Sequence, residues 1–127
     1  MTSEDINEER ELADGVAAQL LDLDESIRAA AELVERGRAA YDSDLIHRLA
    51  AEAISNRLGE AVANLDAAWR ASVPSVPWRA IRDNRNFVVH VYNSIDYARL
   101  WNTLADDVPK LADLLEPYFE RARAVME

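Results

Sequence analysis

Eight consecutive residues, Arg85-Asn86-Phe87-Val88-Val89-His90-Val91-Tyr92, hold groups suited to work on a phosphodiester. An imidazole titrates close to neutral pH, so His90 can take a proton from one oxygen and return it to another. A guanidinium is permanently charged and forks across two oxygens, so Arg85 can stabilise the charge that builds on a phosphorane. Asn86 adds an amide to orient a substrate, and Arg82 and Arg79 add cations one and two turns upstream. This set needs no metal to move a proton and hold a phosphate.

Laid on a helix at about 100° per residue, Trp78–Asn93 separates into two faces. Ile81, Phe87, Val88 and Val91 share the core side, with Asn84 as the one polar intruder. Arg82, Arg85, Asn86, His90 and Asn93 share the other, with Val89 among them and Tyr92 on the border beside Arg85. A solvated face carrying a structural histidine is the bland alternative. Against it, the segment contains neither lysine nor glutamate, the usual solvating residues. Arg85 and His90 lie roughly 140° apart around the axis and about 7.5 Å apart along it, so they do not form one stripe. Asn86 and His90, at i and i+4, do.

Other chemistries find no residues. The chain has no cysteine, which removes thiol catalysis, zinc ribbons and iron–sulfur clusters. Glu-x-x-His, His-x-x-x-His, Gly-x-x-x-x-Gly-Lys, Gly-x-Gly-x-x-Gly and Gly-x-Ser-x-Gly are all missing. Asp44 and His47 at i, i+3 could pair on one helix face, but the start of a helix is a common place for such a pair. No metal and no cofactor is expected.

The positioning elements follow from periodicity. With 127 residues, half of them hydrophobic, and only three glycines and four prolines, the chain has too few turns for a β-sandwich or barrel. The expectation is one all-α domain over residues 1–127, an antiparallel bundle of about five helices whose first two are long. Leu12, Val16, Leu20, Leu23, Ile27, Ala31 and Val34 mark a helix from Glu4 to Ala40. Tyr41-Asp42-Ser43 reads as a turn with an N-cap. A second helix runs through Leu45, Leu49, Leu58, Val62, Leu65 and Trp69, with Gly59 placed for close approach of a neighbour. The stretch 71–77 is a break, and Pro77 opens the third helix, Trp78 to Tyr92. Asn93-Ser94 caps a fourth through Tyr97, Leu100, Trp101 and Leu104. Asp106-Asp107 starts a fifth, which Pro117 should kink or end.

Charge is uneven. The net is -10, and residues 1–25 carry nine acids against Arg10, whereas residues 70–99 carry five arginines against Asp83 and Asp96. Such a chain does not coat nucleic acid, but a small cationic pocket can hold a few phosphates. No apolar run reaches membrane-span length and the acidic start is no signal peptide, so a soluble cytoplasmic protein is expected.

With these residues in place, the sequence resembles the HEPN superfamily in its HepT-like toxin branch. Arg85-Asn86-Phe87-Val88-Val89-His90-Val91-Tyr92 matches the Arg-Asn-x-x-x-His-x-Tyr pattern. Pro77-Trp78-Arg79-Ala80-Ile81 and Leu58-Gly59-Glu60-Ala61 resemble landmarks upstream of it. Ser94-Ile95-Asp96, Trp101 and Val108-Pro109-Lys110-Leu111 resemble those downstream, so that the likeness covers roughly residues 40–118 in order. Asp83-Asn84 departs from the usual Gly-Met and puts a carboxylate beside the basic site. The resemblance implies a metal-independent endoribonuclease toxin of a toxin–antitoxin pair. It further implies a homodimer with an RNA-cleaving cleft between motif helices, and a minimal nucleotidyltransferase antitoxin that adenylylates Tyr92. Two alternatives stay open: a non-catalytic module that binds a nucleotide or the partner, which Asp83 favours, and a structural dimerisation domain.

Overall fold

The computed structural model describes residues 15–81 and 95–126. Among these residues all regular structure is helical. Helix α1 spans Ala17–Glu35, α2 Arg38–Ser43, α3 Leu45–Asn64 and α4 Ala67–Ala71. Residues 78–81 are helical. Helix α5 spans Tyr97–Asn102, a π-helical turn covers Thr103–Asp107, and α6 runs Val108–Met126. The all-α bundle read from the periodicity is the fold observed.

Helix α1 is the central element, packed on both α3 and α6. Its stripe of Leu20, Leu23, Ile27, Ala30 and Leu33 is buried against Leu58 and Val62 of α3 and Leu111, Leu115, Phe119 and Ala122 of α6. Burying side chains of this kind stabilises by about 1.5–3 kcal/mol each, which holds a bundle with so few other ties. Both neighbours run antiparallel to α1. The Asp66 amide, just past the end of α3, donates to Gln19 Oε1 near the start of α1 at 3.0 Å. Arg123, late in α6, donates to Asp24, early in α1, at 3.0 Å.

Several boundaries differ from the sequence reading. The part of the first helix expected over residues 4–14 lies outside the described residues. At its other end α1 stops at Glu35 rather than Ala40, because Gly37 takes a φ of 96° that other residues resist. Ala30, not Ala31, continues the buried stripe. The stretch Tyr41-Asp42-Ser43 is no turn; it ends α2, and Tyr41 is buried. The cap of α3 is Asp44, whose carboxylate accepts from the Ile46 amide at 2.9 Å. Leu45 and Leu49, which mark the expected second helix, are half exposed or more at 55% and 51%. The second helix ends at Asn64 rather than continuing to Trp69, because Leu65 is extended and Asp66 caps a new helix through the Trp69 amide.

The expected fourth and fifth helices are one continuous run. Asp96 caps α5 by accepting from the Arg99 amide at 3.0 Å, while Asn93 and Ser94 lie outside the described residues. Asp106 and Asp107 sit inside the π-helical turn and start nothing. Such a wide turn relieves Pro109, which has no amide to donate and whose ring crowds the preceding turn. Pro117 does not end α6 either. An interior proline costs roughly 3 kcal/mol, and the burial of Leu115, Phe119 and Ala122 around it offsets that.

Candidate functional site

Of the residues read as a site, Arg79 is described: it is exposed, in the first turn of the helix that opens at Trp78. Arg82, Arg85, Asn86, His90 and Tyr92 lie outside the described residues, as do Asp83 and Asn84. The structure fixes the frame on either side of them.

The entry is built on tryptophan. Pro77 cannot donate, so the chain needs another anchor there, and the Trp78 indole supplies it. Its Nε1 donates to the carbonyls of both Arg70 and Val73 at 3.1 Å, closing the C-terminal end of α4. The ring meets Trp69 edge-on at 6.0 Å, and Trp69 meets Tyr118 of α6 at 5.4 Å. Val73 and Val76 are buried beneath this strap. The break over residues 71–77 and the start at Pro77 are therefore as the sequence indicated. One turn on, Ile81 shares a narrow cleft with Ser55, Leu58 and Gly59 of α3 and with Thr103, Asp107, Val108 and Leu111. Gly59 is buried on α3 and lines the same cleft as Ile81.

The exit is built on tyrosine. The Tyr41 hydroxyl donates to the Tyr97 carbonyl at 2.7 Å, and the Tyr97 hydroxyl donates to Glu52 Oε2 at 2.9 Å. The Arg48 guanidinium lies 5.5 Å over the Tyr97 ring while its Nη1 donates to the carbonyls of Tyr41 and Asp42. Tyr41 also packs on Trp101 at 5.0 Å, with Arg38 over the far indole at 5.9 Å. Burial pushes the Tyr41 phenol up to about 12. The hydrogen bond to Glu52 raises that of Tyr97, since the carboxylate holds the phenolic proton in place.

Entry and exit both land on α3. Glu52 takes the exit and Gly59 the entry, two turns apart on one face and about 10 Å along the axis. Sequence reading assigned Tyr41 to a turn and left Glu52 unassigned. The i, i+4 spacing of Tyr97 and Trp101 was the signal that they share a face.

The Asp44–His47 pair exists, with His47 Nδ1 2.9 Å from Asp44 Oδ2. It serves the start of α3. The bond accepted from the Ile46 amide, and then His47, hold the Asp44 carboxyl below the usual range. No group of three potential metal ligands occurs among the described residues. Nor, among them, is any helix long and apolar enough to cross a membrane.

A family model described as ribonuclease HepT-like matches residues 23–118, in agreement with the resemblance noted above. A Methanocaldococcus jannaschii protein provisionally named an RNase is 37% identical over 59 residues, 46% of this chain and 54% of the relative. A Thermococcus cleftensis protein provisionally named ribonuclease HepT is 32% identical over 59 residues, again 46% and 54%. A Caldanaerobacter subterraneus protein, also provisionally named an RNase, is 29% identical over 66 residues, 52% and 59%. The chain spans a little over half the length of these curated relatives. No solved structure matches it significantly.

Proposed function

The chain belongs to the HepT-like ribonuclease family, and from that premise we propose that it is a metal-independent endoribonuclease acting as the toxin of a toxin–antitoxin pair. The observation that carries this reading is the family match over residues 23–118, which contains the whole Arg85–Tyr92 motif. His90 acts as base on a ribose 2′-hydroxyl, whose oxygen attacks the adjacent phosphorus. The 5′-oxygen of the next nucleotide leaves and takes a proton from His90 of the partner subunit. The products are a 2′,3′-cyclic phosphate and a 5′-hydroxyl. Arg85 stabilises charge on the phosphorane oxygens, Asn86 orients the linkage, and Arg82 and Arg79 hold flanking phosphates.

A homodimer is part of this reading for a geometric reason. On the helix that the sequence pattern predicts, Arg85 and His90 would fall about 140° apart, so two copies related by a twofold axis would bring both kinds of group to one linkage. Control falls to Tyr92. A partner nucleotidyltransferase joins the Tyr92 phenolic oxygen to the α-phosphorus of ATP, releasing pyrophosphate. The added nucleotide then repels RNA by charge and bulk. A non-catalytic binding module is the second reading, favoured by the Asp83 carboxylate next to the cationic face.

The test is the chemistry of the cut ends. Single-stranded RNA cleaved by the purified protein should carry 2′,3′-cyclic phosphates and 5′-hydroxyls. Ends with 3′-hydroxyls and 5′-phosphates would make water the nucleophile and overturn the mechanism; intact RNA would leave the binding module.

A further inference from the structure

Several arginines are held by oxygens of the chain itself. Arg28, Arg36, Arg38 and Arg123 each reach a carboxylate within 3.6 Å, and Arg48 donates to two carbonyls. Among the described residues, Arg70, Arg79 and Arg121 make no ion pair and no side-chain hydrogen bond. Arg70 is half-buried, and its Nε is enclosed without a partner. A buried donor left unpaired destabilises the fold, so its presence is explained by a partner from outside the chain. Asp66, one turn before Arg70, caps α4 through the Trp69 amide at 2.9 Å rather than pairing with it. The three arginines share one neighbourhood. Trp69 meets Trp78 at 6.0 Å and Tyr118 at 5.4 Å, and the Trp78 indole donates to the Arg70 carbonyl at 3.1 Å. Arg70 and Arg79 directly follow the two tryptophans, and Arg121 lies one turn beyond Tyr118 on α6. Glu120 precedes Arg121 but falls about 100° away round the helix.

We propose that Arg70 and Arg121, together with Arg79, form a phosphate-binding surface for single-stranded RNA around the Trp69–Trp78–Tyr118 cluster. The proposal rests on the reading of the chain as a ribonuclease and adds substrate contacts outside the Arg85–Tyr92 motif. A net charge of -10 repels a polyanion, so affinity depends on local sites where cations are not cancelled by carboxylates. Here the cations are unpaired, and all are arginines, whose forked donors match phosphate oxygens. The three rings pack on one another, which fixes the backbones that bear the cations before a strand arrives and lowers the ordering cost of binding. Contacts of this kind hold a strand in register without reading its bases.

The test measures binding apart from cleavage, in the full chain, with a fluorescent single-stranded oligonucleotide whose riboses are 2′-O-methylated and therefore lack the attacking hydroxyl. At ~0.1 M salt, Arg70→Gln and Arg121→Gln should each raise Kd about fivefold and flatten the dependence of log Kd on log salt by roughly 0.7, the loss of one phosphate contact. Arg70→Lys, which keeps the charge, should recover part of that loss. Arg36→Gln removes the same charge just past the last residue of α1, the end opposite the contact between Gln19 and Asp66, and should change Kd less than about twofold. On cleavable RNA the two glutamine variants should raise KM with kcat held. Circular dichroism checks each fold, and if Arg70→Gln does not fold, Arg121→Gln decides alone. Losses no larger than that of Arg36→Gln would refute the proposal. So would a poly-glutamate peptide that binds the wild type and is weakened by the variants while oligonucleotide affinity stays unchanged, since the surface would then belong to an acidic protein. If the oligonucleotide binds as expected but natural RNA is left intact, the ribonuclease reading fails and the surface stands. If RNA is cut while the variants bind as the wild type does, the surface fails and the ribonuclease reading stands.

Discussion

The Tyr41 hydroxyl donates to the Tyr97 backbone carbonyl at 2.7 Å, joining residues 56 apart in sequence. It ties α2 to the first residue of α5, and the ring beneath it packs on Trp101. The exit of the motif-bearing segment is thereby attached to the α2–α3 corner by a buried donor rather than by surface charge.

Tyr41→Phe removes that donor and leaves the carbonyl short of a partner. The expected loss is about 1–2 kcal/mol, read from urea denaturation. The pH dependence carries the same signature. Tyr41 is 1% exposed, and its folded value of about 12 stands above the ordinary 10. Between those values the unfolded chain has released a proton that the folded chain still holds, so stability falls as pH rises. The contribution is whole below pH 10 and gone near 12, about 2–3 kcal/mol in all. In Tyr41→Phe the fall across that window should be correspondingly shallower; an unchanged fall would assign it to other groups.

Trp78→Phe keeps a ring against Trp69 but removes the donor shared by the Arg70 and Val73 carbonyls. Stability should drop by about 1–2 kcal/mol. RNA cleavage should fall more steeply than the melting temperature alone accounts for, because the entry of the motif-bearing segment loses its anchor. A variant with wild-type cleavage would free the site from this anchor.

Arg123 donates to Asp24 at 3.0 Å and to Glu116 at 2.6 Å. Asp24 is buried at 8% exposure, so removing Arg123 strands a carboxylate between α1 and α6, with Arg28 as its remaining partner. Arg123→Ala should cost more stability in urea denaturation than Glu116→Ala, which removes only the partner at the exposed end. Both carboxylates, and the bond to Glu116 first, raise the Arg123 value. Equal losses in the two variants would contradict the burial difference.

The fold was legible where periodicity dominates. The α1 stripe and the Pro77 start follow from spacing alone, and the family follows from the ordered landmarks around Arg85–Tyr92. The misses have local causes. Gly37 ends α1 by taking a φ of 96°, a choice that composition does not announce. Asp66 caps a helix at a position where the apolar pattern continued without interruption. Pro117 was read as a kink or an end, yet a well-packed face accommodates it. Of the candidate site, the chemistry-bearing residues were legible as types, whereas the tyrosine frame was not. Tyr41 and Tyr97 meet through a tertiary contact that no local pattern encodes.

The most direct test of the central claim is cleavage of single-stranded RNA in EDTA by the purified protein and by His90→Ala, with helical content checked in both. The wild type should cut with metal removed, and His90→Ala should be inactive while folded. Cleavage that persists in His90→Ala would place the chemistry on other residues and contradict the account.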